Sequence, residues 1–210
     1  QELGDPSGRQ DSKYWDGWFT AVCKDKDHGA FEWYCSINEV AKVIQHFHEK
    51  CTAMVHPGSG TSLLPLRLGE LYPQSRQVVV DISAVAIEEV REHLGRGAFA
   101  ESVEYVVADL LSEGEDTLFE PGTFDCWIDK GFVDAIFSGD DVNRLEQSRL
   151  LFRKASRLLK ANVGTAVIVS LAEYHSLQII LDNWRHDAWQ PTVHVWELEP
   201  ISGNKPVFGF

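Results

Sequence analysis

Long apolar runs are missing from this chain of 210 residues. None approaches the roughly 18 uncharged residues of a membrane-crossing helix, so no membrane association is expected. Cysteine is scarce and scattered: Cys23, Cys35, Cys51 and Cys126 form no Cys-x-x-Cys pair. That spacing argues against a zinc site or a disulfide framework and fits the reduced thiols of a cytoplasmic protein. Basic residues are few, 19 Lys and Arg against 32 Asp and Glu, for a formal charge of −13. Such a surface repels phosphate backbones, so nucleic acid is not an expected partner, whereas a basic protein or a cationic small molecule is. The first eight residues are polar and lack the apolar core of a secretion signal. No internal repeat or second domain stands out, and 44% apolar content suits one α/β domain with a substantial core.

What is present centres on Ala53-Met54-Val55-His56-Pro57-Gly58-Ser59-Gly60-Thr61-Ser62. An apolar run enters a Gly-x-Gly turn, and a leucine-rich helical pattern (Leu63, Leu64, Leu66, Leu68, Leu71) leaves it. A second apolar run, Val78-Val79-Val80, ends on Asp81. Strand, glycine turn, helix, strand and acid is the layout of a nucleoside-binding βαβ unit. Bare backbone approaches the ligand, and the acid about 20 residues on accepts from a ribose hydroxyl. A third glycine is absent, with Ser62 and Leu63 where a dinucleotide fingerprint wants it. This turns the reading away from NAD towards S-adenosylmethionine, whose loop has no pyrophosphate to cradle. Pro65 falls in the first helical turn, where proline is tolerated.

The remaining pattern extends this unit. Residues 1–13 read as a disordered tail, and 14–210 as one domain whose residues 14–50 form an aromatic N-terminal lid and a helix. Tyr14-Trp15-Asp16-Gly17-Trp18-Phe19 and Phe31-Glu32-Trp33-Tyr34 supply the aromatics, either as a packed cap or as ring faces that attract a cationic sulfonium. Ile37, Val40, Val43, Ile44 and Phe47 follow a helical period. Ser83 is the expected N-cap of a helix through Leu94. Further strands are expected at 103–107, 123–128, 165–170, 193–198 and 206–210, with helices at 132–137, 145–159 and 174–184. The fold class is α/β: a single Rossmann-like domain, with a mostly parallel seven-stranded sheet, an antiparallel last strand and helices on both faces.

With those residues in place, the chain resembles a class I, seven-strand methyltransferase dependent on S-adenosylmethionine. More narrowly, Tyr14-Trp15, Phe31-Glu32-Trp33-Tyr34, Gly58 to Ser62, Asp81-Ile82-Ser83 and Asp129-Lys130-Gly131 are similar to one methyltransferase-like subfamily. Its characterised members methylate lysines or the N-terminus of translation elongation factor 1A. Val133-Asp134-Ala135, Ser170-Leu171-Ala172 with His175, and Pro206-Val207-Phe208 share the likeness. The resemblance implies a role for each position. Gly58 and Gly60 would lie against the methionine part of the cofactor, and Asp81 would take the ribose hydroxyls. Ile82, Ala108 and Asp109 would meet the adenine. Trp15, Phe19 and Trp33 would cover the cofactor, with Lys130 near the reacting methyl. The product would be S-adenosylhomocysteine. Departures from the subfamily are His56-Pro57 in place of apolar residues, Thr61 for Asn, Phe19 for Tyr, and Phe132-Val133 for Thr-Leu.

Methyl transfer from a sulfonium is an in-line displacement that relies on positioning and electrostatics. A lysine acceptor has an ordinary pKa of about 10.4 and must lose its proton, so a proton acceptor is needed. The catalytic candidates are Asp129, Glu32 and Tyr34, with Asp129 alternatively a structural partner of Lys130. Glu173, Tyr174 and His175 are candidate channel residues. The expected function is a monomeric protein lysine methyltransferase with a basic protein substrate. A small-molecule methyltransferase, a SAM-binding scaffold without activity and, more distantly, an NAD-dependent oxidoreductase are the alternatives.

Overall fold

The computed structural model describes residues 11–24, 30–95, 100–112, 118–138, 141–171, 177–182, 192–201 and 207–209. Expectations placed on residues 1–10, on Glu173, Tyr174 and His175, and on Pro206 lie outside these. In chain order the elements are α1 (Ser12–Cys23), α2 (Ile37–Phe47), β1 (Ala53–Pro57), α3 (Leu64–Leu71), β2 (Arg76–Asp81) and α4 (Ala84–Leu94). Then come β3 (Val103–Val107), β4 (Cys126–Lys130), α5 (Phe132–Phe137), α6 (Asp141–Leu158), β5 (Thr165–Ser170), β6 (Trp196–Leu198) and β7 (Val207–Gly209). The seven strands form one sheet in the order β3-β2-β1-β4-β5-β7-β6. Neighbours from β3 through β5 are parallel, and β7 runs antiparallel to both β5 and β6. Sheet, direction and count match the expectation.

Alternation along the strands divides the core between two faces. Val55, Val80, Trp127 and Ile168 pack with Val133 and Ile136 of α5 and Leu151 and Leu158 of α6. Met54, Cys126, Ile128 and Val169 pack instead with Val40 and Ile44 of α2 and Leu68 of α3. Ile87, Val90 and Leu94 of α4 cover Val79 and Val103. No helix among the described residues is long and apolar enough to cross a membrane.

Helix starts follow the local chemistry. Ser83 caps α4 by accepting from the Ala86 N–H, as the sequence predicts. Ser36 does the same for α2, accepting from Glu39. Asp11 accepts from the Lys13 N–H and begins α1 at Ser12, so residues 11–13 belong to the lid helix rather than to the tail.

Two strands differ from expectation. β4 begins three residues later and runs through Lys130, because Asp125 is held before it by the Thr52 and Ala53 amides and by Lys160. β6 is only Trp196–Leu198, since Val193 and Val195 are left exposed ahead of its pairing with β7.

His56 is 2% exposed inside β1 and bonds Gln77 of β2 through Nε2 at 2.7 Å. The two residues are diagonal neighbours on one face of the parallel pair. The Gln77 amide in turn donates to Ser75 Oγ at 2.6 Å, which completes a buried polar chain. The departure at His56 is therefore absorbed within the sheet, ahead of the glycine turn. Burial drives the imidazole down to about 4, with the Gln77 bond opposing that shift. The unfolded value is about 6.5, so this group's stabilisation is complete above pH 6.5 and is lost as pH falls through about 4. His56→Gln is expected to lessen the fall in melting temperature between pH 6.5 and 4 relative to the unsubstituted chain, as read by scanning calorimetry at a series of pH values. An equal fall in both proteins would contradict a neutral buried imidazole.

Candidate active site

Chain order in the sheet reverses between β1 and β4, and ligands of open α/β sheets bind in the crevice at the carboxyl ends of such strands. A cavity of about 320 Å³ lies there, at the lower end of the roughly 300–1,000 Å³ typical of small-molecule sites. Gly58 and Gly60 line it in left-handed backbone, φ 55° and 53°. A side chain at Gly58 would meet the Phe132 ring at 2.7 Å, and one at Gly60 would meet Phe19 at 2.9 Å. Both positions thus require glycine on conformation and on space.

Asp81, at the end of β2, fixes this turn. Its carboxylate accepts from the Gly60 N–H at 2.8 Å through one oxygen and from the Ser83 N–H at 2.8 Å through the other. Burial pushes Asp81 up to about 6, a shift opposed by those backbone bonds and reinforced by Asp16. Ile82 and Ala108 line the same wall, as does Asp109, whose carboxylate accepts from the Leu111 N–H at 2.9 Å.

The lid closes the other side. Trp15, Phe19, Trp33 and Tyr34 all line the cavity. Their rings belong to one aromatic cluster, with Trp18 stacked on Trp33 at 5.3 Å and edge-on to Phe19 at 4.9 Å. Polar contacts also dock the lid. The Asp16 carboxylate accepts from Ser83 Oγ at 2.6 Å, at the amino end of α4, where a negative charge is favoured. Thr61 Oγ1 accepts from the Phe31 N–H at 3.1 Å, so the residue that replaces the family's Asn ties lid to glycine turn.

All ten residues expected at the cofactor, Lys130 included, line this one cavity. The three catalytic candidates separate. Tyr34 stands on the cavity wall with φ 65°, its ring 3.2 Å from where a Gly131 side chain would project. Glu32 lies behind the wall, accepting from Ser62 Oγ at 2.9 Å, from the Leu63 N–H at 2.8 Å and from the Lys130 ammonium. Asp129 is fully buried on the opposite face of β4, where one oxygen accepts from the Phe132 and Val133 N–H groups at 2.9 and 3.2 Å. Its other oxygen has no hydrogen-bond partner among the described residues. Burial, and then the charge of Asp134, push Asp129 up to about 8, against the backbone bonds it accepts. Asp129 and Lys130 are adjacent in a strand and so point to opposite faces. The cation's partner is Glu32, not Asp129.

Sequence reasoning missed two acids. Asp134 lines the cavity and accepts from Ser170 Oγ at 2.6 Å and from the Leu171 N–H at 3.2 Å. Asp16 carried no signal beyond its place between lid aromatics.

Residues 48–196 match the model of a family described as a methyltransferase domain. The chain is 26% identical over 205 residues to the mouse "eEF1A lysine and N-terminal methyltransferase", covering 94% of this chain and 28% of that protein. The human protein of the same name is 25% identical over 206 residues, with the same coverage. The chain therefore spans a little over a quarter of the length of these curated relatives. Among solved structures, it resembles geranyl diphosphate C-methyltransferase from Streptomyces coelicolor A3(2) with a TM-score of 0.64 at 14% identity, over 94% of this chain and 84% of that one. An S-adenosyl-L-methionine-dependent methyltransferase of Methanococcus maripaludis, itself assigned provisionally, aligns with a TM-score of 0.59 at 14% identity, over 100% and 94%. These structural likenesses speak for the fold. A glycine turn pinned by Asp81 at the sheet's switch point, and a family match over more than half its length, place this chain in the methyltransferase domain family.

Proposed function

We propose that this domain binds S-adenosylmethionine in the cavity and transfers its methyl group to a lysine of a protein, with elongation factor 1A as the substrate. The observation that carries the cofactor assignment is the convergence of Gly58, Gly60, Asp81, Ala108 and Asp109 on one cavity at the β1/β4 switch. These residues fit a nucleoside with an amino-acid arm. The glycine turn leaves its backbone bare, and the Asp81 carboxylate at the end of β2 has acceptor capacity left for hydroxyl donors. The protein acceptor rests on the mouse and human relatives, which are named for eEF1A lysines and the N-terminus.

Gly58 and Gly60 would hold the methionine part, Asp81 the ribose, and Ile82, Ala108 and Asp109 the adenine. When bound, the cofactor supplies a methyl group on a positively charged sulfur. Trp15, Phe19 and Trp33 wall the cavity with aromatic rings that keep water away, and such rings are attractive to positive charge. Lys130 is held by Glu32 and so keeps a fixed position beside Gly131. Tyr34 is the catalytic candidate on the wall itself, placed to accept a hydrogen bond or, through water, a proton from the acceptor amine. Glu32 and Asp129 act one layer back. The first secures Lys130 and the start of α3, and the second secures the start of α5. With this reading go a cytoplasmic location, a monomer, and no role for nucleic acid or membrane.

The test is incubation of the purified domain with methyl-labelled S-adenosylmethionine and recombinant, unmethylated eEF1A. Label on a lysine-containing peptide is the expected result. An unlabelled factor, beside label in the small-molecule fraction of an added extract, would overturn the protein acceptor.

A further inference from the structure

The aromatic lid is tied to the nucleoside side of the cavity through the amino end of α4. Trp15 and Phe19 of α1 line the cavity, and the Phe19 ring lies over the glycine turn, where a side chain added at Gly60 would meet it at 2.9 Å. Between those two rings in sequence stands Asp16. Its carboxylate accepts from Ser83 Oγ at 2.6 Å and from the Val85 N–H at 3.3 Å. The helix that closes the cavity over the turn is thus fastened to the body of the domain by an acid of its own.

Ser83 is where the lid and the ribose acid meet. Its N–H donates to Asp81 at 2.8 Å, its Oγ donates to Asp16, and the same Oγ accepts from the Ala86 N–H to cap α4. Ser83 is fully buried at the head of an 11-residue helix, so the anchor belongs to the core and not to the lid. The first turn of a helix has N–H groups without intrahelical partners, and it favours negative charge. Asp16 brings both an acceptor and that charge from outside the helix. Its charge is also felt at the ribose acid, where it adds to the upward push of burial on Asp81. Apolar packing holds α1 as well, with Trp18 stacked on Trp33 and with Phe19 and Val22 buried. Such packing is non-directional, whereas hydrogen bonds to a carboxylate fix one position.

We propose that Asp16 is the latch of the lid: its bonds to Ser83 and Val85 hold α1 over the cavity, and breaking them is the step through which cofactor enters and product leaves. The proposal rests on the methyltransferase reading above, since S-adenosylmethionine and S-adenosylhomocysteine are what pass the lid. Both bonds join protein groups, so the latch holds the free domain as well as the loaded one. Opening therefore limits exchange in both directions, as lid motion does in many enzymes. Asp16 stands behind the cavity wall and is a positioning residue.

The test is stopped-flow tryptophan fluorescence of the intact domain with S-adenosylhomocysteine at pH 7.5, where Asp81 is ionised with or without Asp16. Trp15 and Trp33 on the cavity wall report binding. The slope and intercept of the observed rate against ligand concentration give the association and dissociation rate constants. In Asp16→Ala both constants should rise about tenfold, the scale of a lost hydrogen bond to a charged group, while the Kd stays within about threefold. A residue that only shapes the bound state gives a different pattern, with faster dissociation alone and a Kd weakened in proportion. That pattern, or rates unchanged by the substitution, overturns the proposal and leaves the methyltransferase reading standing. If Asp16→Ala does not fold, Asp16→Asn decides, because it keeps an acceptor oxygen for Ser83 and loses the charge. A rise of about threefold in both constants supports the latch, and unchanged constants or faster dissociation alone overturn it. Failure of S-adenosylhomocysteine to bind the unsubstituted domain overturns the methyltransferase reading, and the proposal with it.

Discussion

Glu32→Ala is expected to lower the melting temperature by about 6–12 °C, through a loss of about 3 kcal/mol. The substitution leaves the Lys130 ammonium, whose side chain is 7% exposed, without its anion. It also strips the acceptor from Ser62 Oγ and from the Leu63 N–H at the start of α3. Breaking one side of a buried pair is worse than never building it, because the remaining charge stays desolvated. Glu32→Ala combined with Lys130→Met should therefore cost less than the sum of the two single changes. Differential scanning calorimetry of the three variants completes the cycle. A shift of under about 2 °C for Glu32→Ala would mean that Lys130 reaches water and that the pair does not hold the lid segment to β4.

Asp81→Ala is expected to weaken S-adenosylhomocysteine binding roughly a hundredfold. Two hydrogen bonds from hydroxyls to a charged acceptor contribute about 1.5–3 kcal/mol each, and tenfold corresponds to about 1.4 kcal/mol. The alanine also releases the Gly60 N–H that shapes the glycine turn. Asp81→Asn keeps one acceptor oxygen and should fall between the two. A pH dependence comes with this. Asp81 is pushed up to about 6, first by burial and also by Asp16. The ionised form is the better acceptor, so affinity should fall as pH drops through about 6 in the unsubstituted protein. Asp81→Asn should be flat there, and Asp16→Ala should move the inflection to lower pH. Titrations at pH 5, 6, 7 and 8 read all three.

Much of this site was legible because its determinants are local. A glycine turn between an apolar run and a leucine-patterned helix needs left-handed backbone at Gly58 and Gly60, and the structure has it. Asp81 and Asp109 stand at strand ends that hydrophobic runs mark out. Four of the seven lid rings, Trp15, Phe19, Trp33 and Tyr34, line the cavity, as an aromatic cluster packed ahead of the first core strand suggests. What stayed hidden depends on contacts between distant segments. Glu32 meets Lys130 across 98 residues, and Asp134 meets Ser170 across 36. Extending β4 through Lys130 decides on which face Asp129 lies, and the strand's end could not be read to the residue. Its placement behind α5 follows from that boundary. β6 came out shorter than its alternation suggested, because pairing with a short β7 sets its length.

The central claim is that the cavity beneath the aromatic lid takes S-adenosylmethionine. Isothermal titration of the purified domain with S-adenosylhomocysteine at pH 7.5 tests it most directly. The account predicts one-to-one binding in the micromolar range. An absence of binding at millimolar ligand, with the domain folded by circular dichroism, would contradict it.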